Sequence, residues 1–492
     1  MSLVRSRGFV LGLLLLLCAF EVVYFCYMAY FGGVIDANLI IQALLEYKDV
    51  FAGGRGVAGY LFYAPLAVVI PYLLAWAAVS RFCTARLTVP GMRVVIVAVA
   101  LIIPYKIIRT GNAVPYYANE TFPSVANSYL NLSTLAFNHL PKLLFGSAAA
   151  KLRQGAAPIS VTSDRDPGNM TMVIIMSESL TFDHMSLYGY KRATTPRMAS
   201  YKEDPQFAYT RGIAAGIGTT STFYSFWNGI RDPRNEREYI EQPANLFRLA
   251  KAHGFTTTFL SAQTSNLLRG IGTHFIDNLV TQDMMEPAFD DKQDGMVLEL
   301  LNNVRLRDRD FIVLHLRSVH APYEHNYSSH QELAIFNIEG VPFKNHQRNA
   351  YDNAVRYNDM IVSRLLDFLK DRVQHPLYVF FTSDHGQLLG DTTTRQFGHG
   401  ILLPEVAHVP IMAYVRNADL SVLEAVHRAT YMTHYELTRL ITNVLGFTIH
   451  DPDDGKGEYF INGLGYYGHG GYIRIVKDDV AGSGLRFEKV VM

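Results

Sequence analysis

The chain has 492 residues, 49% of them hydrophobic, and its 44 basic and 44 acidic side chains leave no formal net charge. This length predicts more than one structural unit, and without a long run of one charge nothing suits a nucleic-acid backbone, which excludes nucleic acid as a partner. The three cysteines, Cys18, Cys26 and Cys83, lie at the front and all 17 histidines follow residue 138, which excludes a disulfide framework or cysteine-ligated metal site in the later part.

Gly8 to Phe31 is apolar except for Glu21, long enough to span a bilayer, and without a clear small-residue cleavage site. Glu21 is expected to face other helices as a neutralised interior carboxyl. Ala58 to Ser80 is a second, uncharged span, and Val94 to Ile108 is a shorter third whose Lys106 can snorkel to the interface. Arg5 and Arg7 precede the first span, and Arg81, Arg86 and Arg93 lie between the second and third. By the positive-inside rule both regions are cytoplasmic, and three spans put the remainder outside. Leu39, Ile40, Ala43, Leu44 and Phe51 make a partly apolar helical face, and Tyr129 to Phe145 makes another; both suit an interfacial helix or packing against a soluble domain. Residues 1–112 thus read as a transmembrane domain with spans at 8–31, 58–80 and 94–108. Residues 113–169 read as a connector ending in the linker Gly155 to Asn169, and 170–492 as a separate polar domain.

In that domain short apolar runs alternate with helical patterns. Met172 to Met176, Thr256 to Leu260, Phe311 to Leu316 and Leu377 to Phe381 are expected strands, and Ala244 to His253 and Tyr351 to Lys370 expected helices. The fold class is α/β, a sandwich of helices on a largely parallel sheet. There are no internal repeats.

Tyr378 to Gly386, YVFFTSDHG, reads as a buried parallel strand ending in Asp384 and His385, where open α/β sheets collect their chemistry. The pair supplies an oxygen and a nitrogen of the kind zinc or manganese accepts, and Gly386 lets the backbone turn after it. Glu178 ends the first strand in the same layer and is a third candidate ligand. Gly216 to Asn228 is a glycine-punctuated turn entering a helix whose first residues carry hydroxyls. A helix N-terminus attracts phosphate or sulfate, and a hydroxyl there is a candidate nucleophile, so Thr219, Thr220 and Thr222 all qualify. His315 and His320 follow the Phe311 strand and His399 lies in FGHG; their convergence on strand ends suggests a phosphate site. Arg317 is given no role.

Together these stretches resemble the membrane-anchored phosphoethanolamine transferases of the alkaline phosphatase and sulfatase superfamily. ESLTFDHMSLYGYKRATTP is similar to their first motif, HLRSVHAPY to the histidine motif, TSDHG to the metal motif, FGHG to a later substrate histidine, and YDNAVRYND to the helix after the histidine motif. The resemblance implies an alkaline-phosphatase-like α/β/α catalytic domain with Glu178, Thr219, Asp384 and His385 on one or two zinc ions, manganese being the alternative. It selects Thr219 as nucleophile, since Gly216 and Thr222 stand three residues before and after it and Gly229 ten beyond; Thr222 is the runner-up. His320 and His399 are implied in proton transfer, and His315, His320, His399 and Thr222 in substrate binding. The implied reaction moves phosphoethanolamine from phosphatidylethanolamine to a cell-envelope glycan or glycolipid, such as lipopolysaccharide, through a phospho-threonine. It would take place at the bacterial inner membrane, with the catalytic domain in the periplasm. Well-known members have five spans and a disulfide-braced catalytic domain; this chain differs on both counts. A glycerophosphate transferase, a sulfatase or phosphodiesterase-type hydrolase, and an inactive glycan-binding domain are the competing readings.

Overall fold

The computed structural model describes residues 7–31, 35, 37–45, 62–63, 65–82, 90–110, 122–141, 159–268, 270–285, 293–391, 396–463, 471–477 and 484–490. The chain divides into two compact units, residues 1–151 with 393–397 and 492, and residues 152–392 with 398–491.

The first unit is helical. Its helices are α1 (Arg7–Phe31), α2 (Ala37–Leu45), α3 (Ile70–Phe82), α4 (Pro90–Thr110) and α5 (Ser124–Thr134). Glu21 is buried on α1 and accepts a hydrogen bond from Ser128 Oγ at 2.8 Å, which stabilises a carboxyl that burial would otherwise penalise. Asn131 Nδ2 donates to Ile35 O at 2.9 Å. The inward face of α5 is mostly polar, formed by Asn127, Ser128, Asn131, Ser133 and Thr134 together with Leu130, while Val125 and, just beyond the helix, Phe137 and Leu140 are exposed. The partly apolar face expected from Tyr129 onward is divided, with Leu130 and Leu135 buried and Phe137 and Leu140 exposed, while Ser128 supplies the donor that the buried carboxyl needs. On α4, Val94, Val95, Val99 and Ile108 are exposed.

Among the described residues no helix is long and apolar enough to cross a membrane, so none there meets that measure for the three expected spans. Arg5, Phe51, Arg86, residues 58–61 of the second span and residues 142–145 after α5 lie outside the described residues.

The second unit is built on an eight-stranded sheet. Its strands are β1 (Met170–Ser177), β2 (Phe207–Ile213), β3 (Thr256–Ser261), β4 (Asn278–Val280), β5 (Arg309–His315), β6 (Leu377–Ser383), β7 (His408–Arg416) and β8 (Tyr431–Thr433). The spatial order is β8-β2-β7-β6-β1-β5-β3-β4, and only β7 runs against its neighbours. All four expected strands form. β2, β4, β7 and β8 were not expected, and β7 breaks the simple βα repetition.

β1 is buried on both faces, as a central parallel strand must be. Val173 and Ile175 pack into a core with the helix Phe343–Arg372 (α6), whose Val355, Ile361, Leu365 and Leu369 meet them. Met172, Ile174 and Met176 face a second core with Phe223, Trp227, Leu249 and Ile441 from the helical side opposite. A helical layer on each face makes the sandwich the sequence predicts.

Within the expected linker, Ser160–Ser163 forms a strand paired antiparallel with Phe447–His450. A three-stranded antiparallel sheet, β9 (Glu458–Asn462), β10 (Tyr472–Lys477) and β11 (Leu485–Val490), follows. Asn462 brackets the turn before Thr219: its N–H donates to Ala215 O at 2.8 Å and its carbonyl accepts from Ile217 N at 3.1 Å.

Candidate active site

β1 and β6 are parallel neighbours paired Ser177 to Ser383, and Asp384 N–H extends the ladder to Ser177 O at 3.1 Å. The next residue on each chain is an acid, so Glu178 and Asp384 stand side by side beyond the sheet. Gly386 has no left-handed φ; what it provides is room, because a Cβ there would lie 2.5 Å from His408 O. The expected sharp turn is thus a close approach between two backbones.

Ser179 adopts φ 56°, a left-handed conformation unusual outside glycine. Its N–H donates to Asp384 Oδ1 at 3.1 Å, its hydroxyl donates to Glu178 Oε1 at 2.9 Å, and its carbonyl accepts from Tyr351 OH at 2.7 Å. His385 N–H adds a second bond to Asp384 Oδ1 at 2.7 Å. The strained residue thereby ties both acids to one backbone.

Ligand atoms of Glu178, Asp384 and His385 lie within 4.8 Å of one another, the one such group among the described residues. All three side chains are fully buried. His385 Nδ1 donates to Gly386 O at 2.9 Å, which turns the Nε2 lone pair toward the acids. Asp384 Oδ2 and His385 Nε2 find no hydrogen-bond partner among the described residues. Burial, then the Glu178 charge, pushes the Asp384 carboxyl up to about 8. Burial works against a charged His385, yet Asp384 and Glu178 push it up to about 9; burial likewise opposes ionised Glu178, and His385 holds it well below the carboxylate range. An imidazole nitrogen 3.1 Å from Glu178 Oε1 and 3.4 Å from Asp384 Oδ2, with two crowded buried acids, fits a divalent cation, which takes oxygen and imidazole donors of this kind.

Thr219 is the first residue of the helix Thr219–Phe226, after an extended Gly218. Its hydroxyl does not cap the helix; it donates to Glu178 Oε2 at 3.1 Å, with Oε1 at 3.4 Å. Gly216 packs under it, where a Cβ would lie 2.5 Å from Ser221 Oγ. The Thr222 hydroxyl is fully buried with no partner among the described residues.

The histidines separate. His399 lies beside His385, its ring tilted by 36° at 4.3 Å between ring centres, and the His320 ring lies 6.2 Å from that of His399. Desolvation and the neighbouring His385 and His320 hold the His399 imidazole well below its ordinary range. Its Nδ1 donates to Gln387 Oε1 at 3.1 Å, and Gln387 Nε2 donates to Tyr323 OH at 2.6 Å. His315 instead lies behind the acids, fully buried, with Phe223 at 4.9 Å, and burial pushes it down to about 4. As the last residue of β5 it packs against Phe223 on the helix that begins at Thr219.

Sequence reasoning missed Ser179, Gln263 and Gln387. Gln263 stands two residues beyond β3, in the layer already holding Glu178 and Asp384; that shared layer was the signal available.

The Sulfatase family pattern matches residues 170–447, more than half of the chain. Kdo(2)-lipid A phosphoethanolamine 7''-transferase of Escherichia coli K12 is 26% identical over 479 residues, covering 88% of this chain and 81% of the relative. Phosphoethanolamine transferase EptC of Escherichia coli O18:K1:H7 is 28% identical over 235 residues, covering 45% of this chain and 40% of the relative. Among solved structures, the integral membrane protein lipooligosaccharide phosphoethanolamine transferase A of Neisseria meningitidis superposes with a TM-score of 0.61 at 16% identity, over 88% of this chain and 84% of that one. With the strand-end acids, the buried imidazole and the helix-borne threonine in place, the family match identifies the chain as a member of the sulfatase family.

Proposed function

We propose that this chain transfers phosphoethanolamine from phosphatidylethanolamine to a cell-envelope glycan or glycolipid in two displacements through a phospho-threonine. The observation that carries this reading is the Thr219 hydroxyl, at a helix start and 3.1 Å from Glu178 Oε2 beside a buried acid and imidazole. The names of the full-length relatives support the headgroup and a lipid A-type acceptor.

Glu178, Asp384, His385 and Thr219 would hold zinc, one or two ions, with manganese the alternative. Such a cation, when bound, lowers the hydroxyl pKa and neutralises phosphate charge. Thr219 Oγ attacks phosphorus, the bond to the diacylglycerol oxygen breaks, and the hydroxyl proton leaves along the hydrogen bond to Glu178 Oε2. His320 and His399 bind phosphate oxygens, passing a proton to the leaving oxygen and later removing one from the acceptor. The acceptor oxygen then displaces Thr219.

A lipid donor stays in its bilayer, so the helical unit would keep the site at the headgroup layer of the inner membrane, on its periplasmic side. The exposed valines of α4 and the mostly polar inward face of α5 support that placement, since water favours the opposite arrangement.

The test is Thr219→Ala with vesicles of phosphatidylethanolamine and a lipid A acceptor, together with mass spectrometry of the Thr219 peptide. Transfer is expected to fall by more than about a thousandfold, and the wild-type peptide to carry phosphoethanolamine. Full activity in the variant removes the nucleophile, and label released only to water replaces transfer by hydrolysis.

A further inference from the structure

β3 ends at Ser261 directly beside His315, the last residue of β5. Ser261 Oγ lies 2.9 Å from His315 Nδ1 and accepts from Gln263 N at 3.0 Å. The side-chain amide of Gln263 then reaches across the end of the sheet. Its Nε2 donates to Glu178 Oε2 at 2.8 Å and lies 3.0 Å from His315 Nε2.

The chemistry of these atoms fixes their roles. An amide nitrogen can only donate, so His315 Nε2 must accept and His315 must carry its one proton on Nδ1, directed at Ser261 Oγ. Reversing the amide would set its oxygen against a carboxylate oxygen, acceptor to acceptor, so Glu178 selects one orientation of Gln263 and, through it, the tautomer of His315. Glu178 is then held at both ends. Oε1 receives Ser179 Oγ at 2.9 Å and lies 3.1 Å from His385 Nε2, while Oε2 receives Gln263 and Thr219.

We infer that Gln263, backed by His315 and Ser261, is the positioning residue that turns the Glu178 carboxylate so that Oε1 faces His385 Nε2 and Oε2 faces the Thr219 hydroxyl, the setting in which the cluster would hold a cation. This deepens the transferase reading and rests on it for the catalytic consequence alone; the effect on metal binding stands without it. Without the amide the carboxylate can turn part-way about its last bond and lose the orientation that both neighbours need. The fully buried His315 acts one step further back, through Gln263.

The test uses the full chain with Gln263→Leu, similar in length and lacking donors, alongside His315→Phe and the double variant. Zinc affinity is read by titrating zinc chloride against a chelating dye, and kcat and KM on phosphatidylethanolamine vesicles. Gln263→Leu should weaken zinc about ten- to a hundredfold and lower kcat with KM for the lipid unchanged, the span typical of losing a ligand's supporting partner. His315→Phe should shift both in the same direction, and the double variant should add little to Gln263→Leu. A Gln263→Leu protein with unchanged zinc affinity and a raised KM would make Gln263 a substrate contact and overturn the inference; so would full additivity in the double variant. If Gln263→Leu does not fold, Gln263→Glu, which keeps the shape and sets acceptor against acceptor, should show the same zinc loss, and unchanged affinity there overturns it equally. If Thr219→Ala retains transfer, the phospho-threonine reading fails while the zinc titration still decides the role of Gln263.

Discussion

Asp384 has one oxygen held by two backbone N–H groups and the other directed at nothing but the cluster, so its value to the molecule lies in that second oxygen. Replacing it as Asp384→Asn keeps the shape and removes the charge; zinc affinity is expected to drop by about a hundredfold or more, read by dye competition. His184 is a buried imidazole of another kind. Its Nδ1 lies 2.7 Å from Asp352 and its Nε2 2.8 Å from Asp391. Burial opposes its charge, but the Asp352 and Asp391 hydrogen bonds push it up to about 9 from 6.5. A pKa raised on folding means that protonation favours the native state, so this stability is complete below pH 6.5 and is lost as pH rises to about 9. Thermal unfolding from pH 6 to 10 should show that decline, His184 contributing roughly 3 kcal/mol at most, and His184→Gln should make it shallower by that share, the remainder coming from Asp384 and His385. Motif residues such as Glu178 were legible because they end apolar runs. Gln263 and His184 were not: their meaning lies in partners 85 and 168 positions away in sequence, which no local pattern reports.

Among the elements, α6 does the most to hold the site. Besides its apolar face, Asn358 Nδ2 donates to Ser177 Oγ at 2.9 Å and to Ser318 Oγ at 2.8 Å, joining the end of β1 to the loop that carries His320. Asp359 accepts from Arg197 N and Met198 N at 2.9 and 2.8 Å. Asn358→Ala should lower stability by about 1–3 kcal/mol, seen in urea titration, because it leaves buried hydroxyls short of a donor. An unchanged midpoint would mean the two bonds add nothing. The sequence pattern placed this helix from Tyr351, where its apolar face begins; its first eight residues, from Phe343 to Ala350, are mostly polar and escaped the periodicity. β7 escaped differently, since Pro410 within an apolar run reads against a strand; it pairs with Arg211 of β2, and the register with β6 begins only after it, at Ile411.

For the whole molecule, the division into a helical unit and a sheet unit separates two tasks in the proposed reaction. A protein beginning at residue 159 contains every described strand of the sheet unit and all the cluster residues. It should unfold cooperatively and bind zinc as the full chain does, yet transfer from phosphatidylethanolamine vesicles at least about tenfold more slowly. Equal rates would leave the helical unit without a part in presenting the lipid. The change from a greasy to a histidine-bearing composition leads to a boundary at 169/170, whereas the compact units divide at 151/152. The three-stranded sheet near the C-terminus was not legible, because its contribution is to brace Gly216 through Asn462, a backbone pairing that side-chain patterns do not encode.

The level pairing of Ser177 with Ser383 makes the gap between the two acids a property of the hydrogen-bonded lattice, whose rows lie about 4.8 Å apart, and of neither loop. Lengthening the loops therefore leaves that gap alone. Deleting a single residue inside Met170–Ser177 would instead swing Glu178 to the other face of the sheet, and no local repacking could bring it back.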